Sequence, residues 1–356
     1  MQIYGLFRMI IKKRVEAFVK LGEFLNDYLS ERKDTSSGGK YAQFDETVRK
    51  CFIYNGWFTE DCVLKALKGI ALLLQSGDLI EFAKQIKEPS SPKTVAVIMA
   101  GNIPAVGFHD FLCVLLSGNK ILLKLSSDDK LLIPFFADIL IGIEPSLKEN
   151  ISFAEGKIQN FDAVIATGSN NSALYFKQYF EKYPHIIRKN RSSVAVLTGN
   201  ESREELNLLG NDIFDYFGLG CRSVSKVYVP KGYKFDTLFE SIFSFADVMD
   251  NKKYANNHDY QSAIFLLNQQ PFLDNNFLII KQSNDLHSPV AVLYYEEYES
   301  ITEMNKKLTL LEPELQCIVT NTPLSVNTYA PGTAQCPSVF IFADNTNTLA
   351  FLNNFS

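Results

Sequence analysis

The amino-terminal part of the chain carries apolar residues at helical spacing. Within residues 13–32 one apolar face, interrupted only by Gly22, is formed by Val15, Phe18, Val19, Leu25 and Leu29. Residues 34–40 follow as a polar, loop-like linker. A second apolar face begins after Thr59, which is followed by two acidic residues, a typical helix start. The pattern predicts a helical segment over residues 1–90.

Beyond residue 92 the pattern changes to short apolar runs separated by turn residues. These runs, which are typical of buried parallel strands, lie at residues 95–99, 121–125, 163–166, 194–197, 224–229, 263–267, 277–280, 290–294, 316–319 and 339–342. Helical patterns occur between some of them, at residues 130–143, 172–183 and 206–217. The alternation predicts an α/β fold with two doubly wound domains, covering residues 91–190 and 191–356, behind the helical N-terminal extension.

Composition narrows the class of protein without naming a function. Of the 356 residues, 46% are hydrophobic and 21% are charged, which is ordinary for a globular protein, and the formal net charge is -5. A chain without basic excess has no electrostatic footprint for nucleic acid, so we expect no nucleic-acid partner. The six cysteines are far apart, and neither a CxxC pair nor zinc-ligand spacing occurs, which predicts no metal site and no disulfide framework.

No targeting or membrane segment is expected. Charges interrupt the apolar stretches of residues 1–21, and no small-residue cleavage site follows them, so they do not match a secretory signal. The longest uncharged run, residues 94–108, falls short of the roughly 18 apolar residues that a spanning helix needs. We therefore expect a soluble, cytoplasmic protein.

The Gly-x-Gly-x-x-Gly fingerprint of many nicotinamide enzymes is absent. The segments that follow three of the predicted strands are instead Ala100-Gly-Asn-Ile-Pro104, Lys124-Leu-Ser-Ser127 and Ala166-Thr-Gly-Ser169. Each lies at the carboxyl end of a strand, where open α/β sheets bind their ligands.

One cysteine has a distinctive setting. Cys221 lies in Phe217-Gly-Leu-Gly-Cys-Arg-Ser223, where glycines let the backbone approach a ligand and let an amide point at a developing oxyanion. The local sequence is equally compatible with glycines that cap a helix and a cysteine that only packs. The neighbouring Arg222 could lower the pKa of the cysteine, bind a phosphate of an acyl carrier or form a structural ion pair.

In this order, these four segments resemble the aldehyde dehydrogenase superfamily and, within it, the LuxC-like acyl-CoA reductases. The resemblance covers residues 93–233, with a weaker match over residues 286–295. It implies an aldehyde-dehydrogenase-like fold, with Cys221 as the nucleophile and the Asn102 amide as the donor to the oxyanion. It also implies that residues 91–190 bind the cofactor and that residues 191–356 are catalytic, with a C-terminal part that could return to the cofactor domain.

The resemblance also implies cofactor contacts. Lys124 would contact the adenosine ribose, Asp285 the nicotinamide ribose, and Thr167, Gly168 and Ser169 would lie beside the cofactor. Where NAD-preferring relatives carry a glutamate, this chain has Ser127, which favours NADPH because a carboxylate would repel the 2'-phosphate. NADH stays open as the reductant, since the carboxylates of Asp128 and Asp129 lie close in the sequence. Taken singly, these residues are also typical of ordinary turns and surface loops.

A departure from the family pattern indicates the reaction type. Hydrolytic aldehyde dehydrogenases carry a general-base glutamate before the strand at residues 194–197, but no carboxylate occurs here between Glu181 and Glu201. Without a base that activates water, an acyl group on Cys221 would exchange with a thiol or accept hydride. This favours reduction of an acyl-CoA or acyl-carrier-protein thioester to an aldehyde. His185 could assist proton transfer or be a structural turn residue.

Two other functions stay open at this point: a reductase of acyl phosphates and a catalytically silent relative that binds an acyl carrier. The resemblance further implies a homo-oligomer and an acyl-activating partner protein.

Overall fold

The computed structural model describes residues 2–31 and 40–355, so that most of the predicted linker lies outside the described residues. The chain divides into two compact units. The first comprises Met1–Asn190 and Pro337–Ser356, and the second comprises Arg191–Cys336. Among the described helices, none combines the length and the apolar character that crossing a membrane requires.

The first unit contains a five-stranded parallel sheet in the order β3-β2-β1-β4-β5. Its strands are β1 (Thr94–Ile98), β2 (Lys120–Lys124), β3 (Ile151–Phe153), β4 (Ala163–Thr167) and β5 (His185–Arg188). Its helices are α1 (Gln2–Glu31), α2 (Ala42–Tyr54), α3 (Glu60–Leu73), α4 (Ser76–Ala83), α5 (Phe108–Leu116), α6 (Leu132–Ile143), α7 (Asn170–Phe180) and, from the C-terminal segment, α12 (Thr348–Phe355). The helical N-terminal segment is therefore confirmed and belongs to the same compact unit as this sheet.

The apolar face of α1 is buried in the core of the first unit. Its fully buried residues repeat every three or four positions at Phe18, Leu21, Leu25 and Tyr28. Gly22, which interrupted the apolar face in the sequence, allows close packing, because a Cβ there would lie 2.8 Å from the Cβ of Leu74. The predicted start of α3 is also observed, since the Thr59 side chain accepts a hydrogen bond from the Cys62 amide.

A buried ion pair connects three elements of the first unit. Arg188, at the end of β5, donates two hydrogen bonds to Asp110 on α5, and the second of these measures 3.0 Å. Arg188 also donates to the hydroxyl of Thr348 at the start of α12, at 2.8 Å. The side chains of Arg188 and Asp110 are 4% and 9% exposed, so each charge depends on the other for compensation.

The second unit contains a six-stranded sheet in the order β11-β6-β7-β10-β9-β8. Its strands are β6 (Ser192–Val196), β7 (Val224–Pro230), β8 (Leu273–Asp274), β9 (Ile279–Gln282), β10 (Val292–Tyr298) and β11 (Leu315–Val319), all parallel except β8. Its α-helices are α8 (Arg203–Phe214), α9 (Asp236–Ser241), α10 (Lys252–Leu267) and α11 (Ile301–Leu311). The α/β class and the parallel sheets predicted from the sequence are confirmed.

Two of the predicted strands are wrong. Residues 263–267 form the end of α10, which Asn251 caps at its start. Only Phe265 of this run is buried, on the same face as Tyr254 and His258, whereas Leu266 and Leu267 are exposed. A short apolar run cannot by itself distinguish a buried strand from a helix. Residues 339–342 form no strand; Phe340 and Phe342 pack edge-on or tilted against Phe82 instead of pairing with a sheet.

The buried pair predicts a large loss of stability when one partner is neutralised. Asp110→Asn leaves the Arg188 charge buried without compensation, so we expect the free energy of unfolding to fall by about 3 to 5 kcal/mol. Urea unfolding followed by the fluorescence of Trp57, the single tryptophan of the chain, measures this loss in the first unit.

Glu46→Gln is the matched control, because it also neutralises one carboxylate of the first unit. Its partner Lys50 is 50% exposed, so we expect a loss below about 1 kcal/mol. Equal losses in the two variants would contradict a structural role for the Asp110–Arg188 pair.

Candidate active site

The first unit gathers six of the predicted site residues at one edge of its sheet. Because β2, β1 and β4 are parallel neighbours, their carboxyl ends emerge side by side. The residues that lie at or directly after these ends are Asn102, Lys124, Ser127, Thr167, Gly168 and Ser169. This edge is where open α/β sheets bind their ligands.

The Asn102 turn is fixed by contacts on both sides while Asn102 itself is exposed. The Asn55 amide donates to the Gly101 carbonyl at 3.2 Å, and the Ala105 amide donates to Asp129 at 2.6 Å. Gly101 has no room for a side chain, because a Cβ would lie 2.5 Å from Ser126 Oγ. Burial raises the pKa of Asp129 to about 6. The turn is thus held in place by its backbone, with the Asn102 side chain at the surface.

At the carboxyl ends of β2 and β4, the predicted site residues differ in their exposure and hydrogen bonds. Lys124 is partly exposed and donates from Nζ to the carbonyl of Gly156 at 3.0 Å. Ser127 is exposed. Ser169 caps α7 by accepting from the Ser172 amide at 3.2 Å, so that the first amides of this helix face the same edge as Gly168.

His185 lies at the opposite edge of this sheet. It is the first residue of β5, and the register pairs it with Val164, whereas Arg188 pairs with Thr167 at the carboxyl edge. Three strand positions separate the two edges by roughly 10 Å. The His185 ring nitrogen Nδ1 lies 2.9 Å from the carbonyl of Tyr183. His185 therefore contacts the turn that precedes β5 and does not share an edge with Asn102.

In the second unit, Cys221 lies on a tight turn that leads into β7. The Ser223 amide donates to the Gly220 carbonyl at 3.0 Å, so that Cys221 and Arg222 occupy the two central positions of the turn. The chain enters this turn in a left-handed conformation, with φ of 55° at Tyr216, 56° at Phe217 and 76° at Gly218. Non-glycine residues in this region cost of order 1 kcal/mol or more each, so the surrounding packing must enforce the turn.

Ser193 on β6 anchors the backbone of the cysteine. Its hydroxyl donates to the Cys221 carbonyl at 2.8 Å and accepts from the Cys317 amide of β11 at 3.1 Å. Ser193 is completely buried, so both bonds are protected from water. The turn is thereby tied to two strands of the sheet while the Cys221 residue remains partly exposed.

Exposure separates Cys221 from most of the other cysteines. Cys51, Cys62, Cys113 and Cys317 are buried, whereas Cys336 is exposed. Burial raises the pKa of Cys51 to about 12 and also raises those of Cys113 and Cys317. Buried thiols of this kind stay protonated and unreactive. The cysteine predicted as nucleophile is thus outside the buried set.

A loop that sequence patterns did not single out lies against the Cys221 turn. Asp212 on α8 accepts from the amides of Gly332 and Ala334 at 2.6 and 3.1 Å, and Gln335 donates to the Ser223 hydroxyl at 3.1 Å. Asp212 is fully buried, and burial raises its pKa to about 6. The sequence offered one signal for this contact, the carboxylate of Asp212 among the apolar positions of the predicted helix over residues 206–217.

Asp285 lies in the exposed loop between β9 and β10 and accepts from the Ser283 hydroxyl at 3.2 Å. The next residue, Leu286, accepts at its carbonyl from Ser225 of β7 at 2.8 Å. The loop therefore runs beside the first half of β7, in the same unit as Cys221.

Two basic side chains, one on β5 and one on β7, are buried and paired with carboxylates. Lys226 is completely buried and donates to Glu296 at 2.7 Å, and Arg188 forms the pair with Asp110 described above. Neither is available to bind a carrier phosphate. Within residues 2–31 and 40–355, no cluster of three or more His, Cys, Asp or Glu side chains could hold a metal ion.

Known proteins support this architecture. The chain is similar to an aldehyde dehydrogenase from Bacillus cereus, solved as its NAD+ complex, with a TM-score of 0.62 and 12% identity over 88% of this chain and 73% of the other. It is also similar to aldehyde dehydrogenase 21 from Physcomitrella patens, solved with the reaction product succinate, with a TM-score of 0.67 and 12% identity over 97% and 84% of the two chains. At this identity the likeness shows the fold, which confirms the predicted aldehyde-dehydrogenase-like architecture.

No curated protein was found to match the chain. A family model described as acyl-CoA reductase (LuxC) matches residues 71–253, which is more than half of the chain and includes both the Asn102 turn and Cys221. The match confirms the resemblance inferred from the sequence motifs. The chain therefore belongs to the LuxC acyl-CoA reductase family of oxidoreductases.

Proposed function

We propose that the protein reduces a fatty acyl thioester, carried by coenzyme A or an acyl-carrier protein, to the aldehyde, with NADPH as reductant and Cys221 as nucleophile. The observation that carries the proposal is the position of Cys221 at a strand-anchored turn, partly exposed, among cysteines that are mostly buried. A nucleophilic thiol must be accessible and held in place, and this turn meets both requirements.

The carboxyl edge of the first sheet fits a nicotinamide dinucleotide in its chemistry. The start of α7 offers backbone amides to a pyrophosphate, and Gly168 keeps the chain close to the helix, since a Cβ there would lie 2.8 Å from Ser172 Cβ. Lys124 and Ser127 would face the adenosine ribose. The buried carboxylate of Asp129 is engaged with the Ala105 amide, which leaves Ser127 at the position where a glutamate would disfavour a 2'-phosphate.

The residues of the chain then account for acyl transfer. The Cys221 thiolate attacks the thioester carbonyl, and a bond forms between the carbonyl carbon and the Cys221 sulfur. The bond between that carbon and the carrier sulfur then breaks, and the carrier thiolate leaves and takes up a proton. The Asn102 amide donates to the oxyanion that develops on the carbonyl. A bound reduced nicotinamide supplies the hydride. Release of the aldehyde restores the Cys221 thiolate.

The position of the missing general base supports reduction over hydrolysis. The segment that replaces it contains Arg188, whose guanidinium is buried against Asp110, and no carboxylate between Glu181 and Glu201. The imidazole of this segment, His185, is of a type that can activate water at neutral pH, but it lies at the edge of the sheet opposite Asn102.

Replacing the nucleophile gives the first test. With long-chain acyl-CoA and NADPH, we expect Cys221→Ala to lower turnover by more than about a thousandfold, because no other step can replace the covalent one. NADPH oxidation followed by absorbance measures the rate. Without NADPH, mass spectrometry should find the acyl group on the wild-type peptide that contains Cys221.

Cys336→Ala is the matched control, since it removes the exposed thiol. Loss of turnover in this variant with retention in Cys221→Ala would assign the nucleophile to Cys336. Wild-type turnover with an acyl phosphate but with no thioester would replace the proposed substrate, and turnover with neither would favour a silent carrier-binding protein.

The oxyanion role predicts a specific kinetic effect. Asn102→Ala removes one donor, so we expect kcat to fall about a hundredfold with a much smaller change in KM. Asn190→Ala removes an exposed asparagine of the same unit and should leave both constants unchanged. A change confined to KM would assign Asn102 to substrate binding instead.

Cofactor preference provides an independent test. Ser127→Glu introduces a carboxylate where the 2'-phosphate would lie, and we expect kcat/KM for NADPH to fall by about tenfold or more while that for NADH changes less. Ser127→Gln, of equal length but uncharged, should shift the preference far less. Equal effects of both variants on both nucleotides would contradict the proposed ribose contact.

A further inference from the structure

Arg222 shares the turn with Cys221, and the partners of its guanidinium are all uncharged at neutral pH. Its NH1 donates to the Cys317 sulfur and to the Ala334 carbonyl, both at 3.2 Å. Its central carbon lies 5.7 Å from the centroid of the Tyr329 ring. These contacts, from β11 and from the loop that precedes Pro337, fix the position of the cation at the turn that carries Cys221.

Three other buried or partly buried cations are instead paired with carboxylates. Arg188 is paired with Asp110, Lys226 with Glu296 and Arg14 with Glu88. In the part of the chain that the structure describes, no carboxylate lies within salt-bridge distance of Arg222. Removing a charge from water is costly unless an opposite charge compensates it. A nearby anion would therefore stabilise the Arg222 guanidinium.

The ionisable groups that act on Arg222 are Cys317, Tyr329 and Cys221. Cys317 is 2% exposed, and burial raises its pKa despite the nearby guanidinium, so it remains a neutral thiol. A phenol such as Tyr329 is neutral at pH 7. The Asp212 carboxylate on α8 accepts hydrogen bonds from two backbone amides of the loop. Of these groups, only Cys221 is a partly exposed thiol that can supply the anion.

We infer that Arg222 is the fixed cation that stabilises the Cys221 thiolate and so sets the reactivity of this cysteine. The inference rests on the proposed role of Cys221 as nucleophile. Arg222 is a positioning residue in this scheme, since it acts through the cysteine. The structural-ion-pair alternative for Arg222 has no carboxylate among the described residues to support it.

The pH dependence of alkylation tests this inference without requiring turnover. The full-length protein is treated with iodoacetamide from pH 5 to 10, and the peptide that contains Cys221 is quantified by mass spectrometry, with the exposed Cys336 as an internal reference thiol. In Arg222→Gln we expect the midpoint of the Cys221 profile to rise by about one pH unit or more, and the rate at pH 7 to fall about tenfold. Arg222→Lys retains the charge and should restore most of the wild-type profile.

Two further variants make the result decisive. Arg222→Met provides a second neutral side chain, with an apolar stem that suits the partly buried site, in case Arg222→Gln does not fold. Arg203→Gln is the control, because it removes an equal charge from the opposite end of α8, about 16 Å along the helix axis from the end that leads toward Cys221. It should leave the pH profile of Cys221 alkylation unchanged.

An unchanged Cys221 midpoint in the folded neutral variants would overturn the inference. An equal rise in Arg222→Lys and Arg222→Gln would also overturn it, because the forked hydrogen bonds and not the charge would then matter. A shifted midpoint in a protein that reduces no acyl thioester would leave the inference standing and contradict the proposed function.

Discussion

Parallel pairing of β2, β1 and β4 is the constraint on which the candidate cofactor edge depends. Hydrogen bonds between parallel strands align their directions, so the loops that follow all three strands emerge at the same edge. Asn102, Lys124 and Gly168 are separated by long stretches of chain and meet only for this reason. The Asp110–Arg188 pair then fastens β5 and the C-terminal helix to the α5 layer of the same unit.

The second unit holds the backbone of Cys221 in place without burying the residue. The segment that leads into the Cys221 turn contains two non-glycine residues in the left-handed region, a conformation that the local sequence does not favour. Ser193 compensates by bonding the Cys221 carbonyl, and the Asp212-anchored loop bonds Ser223 and Arg222. Strand β6 and the loop before Pro337, which are distant in sequence from this turn, therefore hold the backbone that carries the thiol.

Sequence patterns were sufficient for most of the strands and helices, and failed where an apolar run had more than one stable environment. The pattern of residues 263–267 is compatible with both a strand and the end of a capped helix. These residues are helical because Phe265 extends the buried face of α10 that begins at Tyr254. Residues 339–342 looked like a strand, but their aromatic rings pack on Phe82 and find no edge to join. The burial of Arg188 and Lys226 could not be read from neighbouring residues, because their carboxylate partners are remote in the chain.

The sequence by itself determined the α/β class, the helical N-terminal segment, the family and the cysteine to be tested, because periodicity, turn residues and motif order are local properties. Only the tertiary structure decided that His185 lies at the edge opposite Asn102, that Ser193 anchors Cys221, and that Arg222 lacks a carboxylate partner among the described residues. Each of these depends on strand register or on contacts between distant segments. Such contacts follow from the packing of the whole unit and leave no pattern in neighbouring residues.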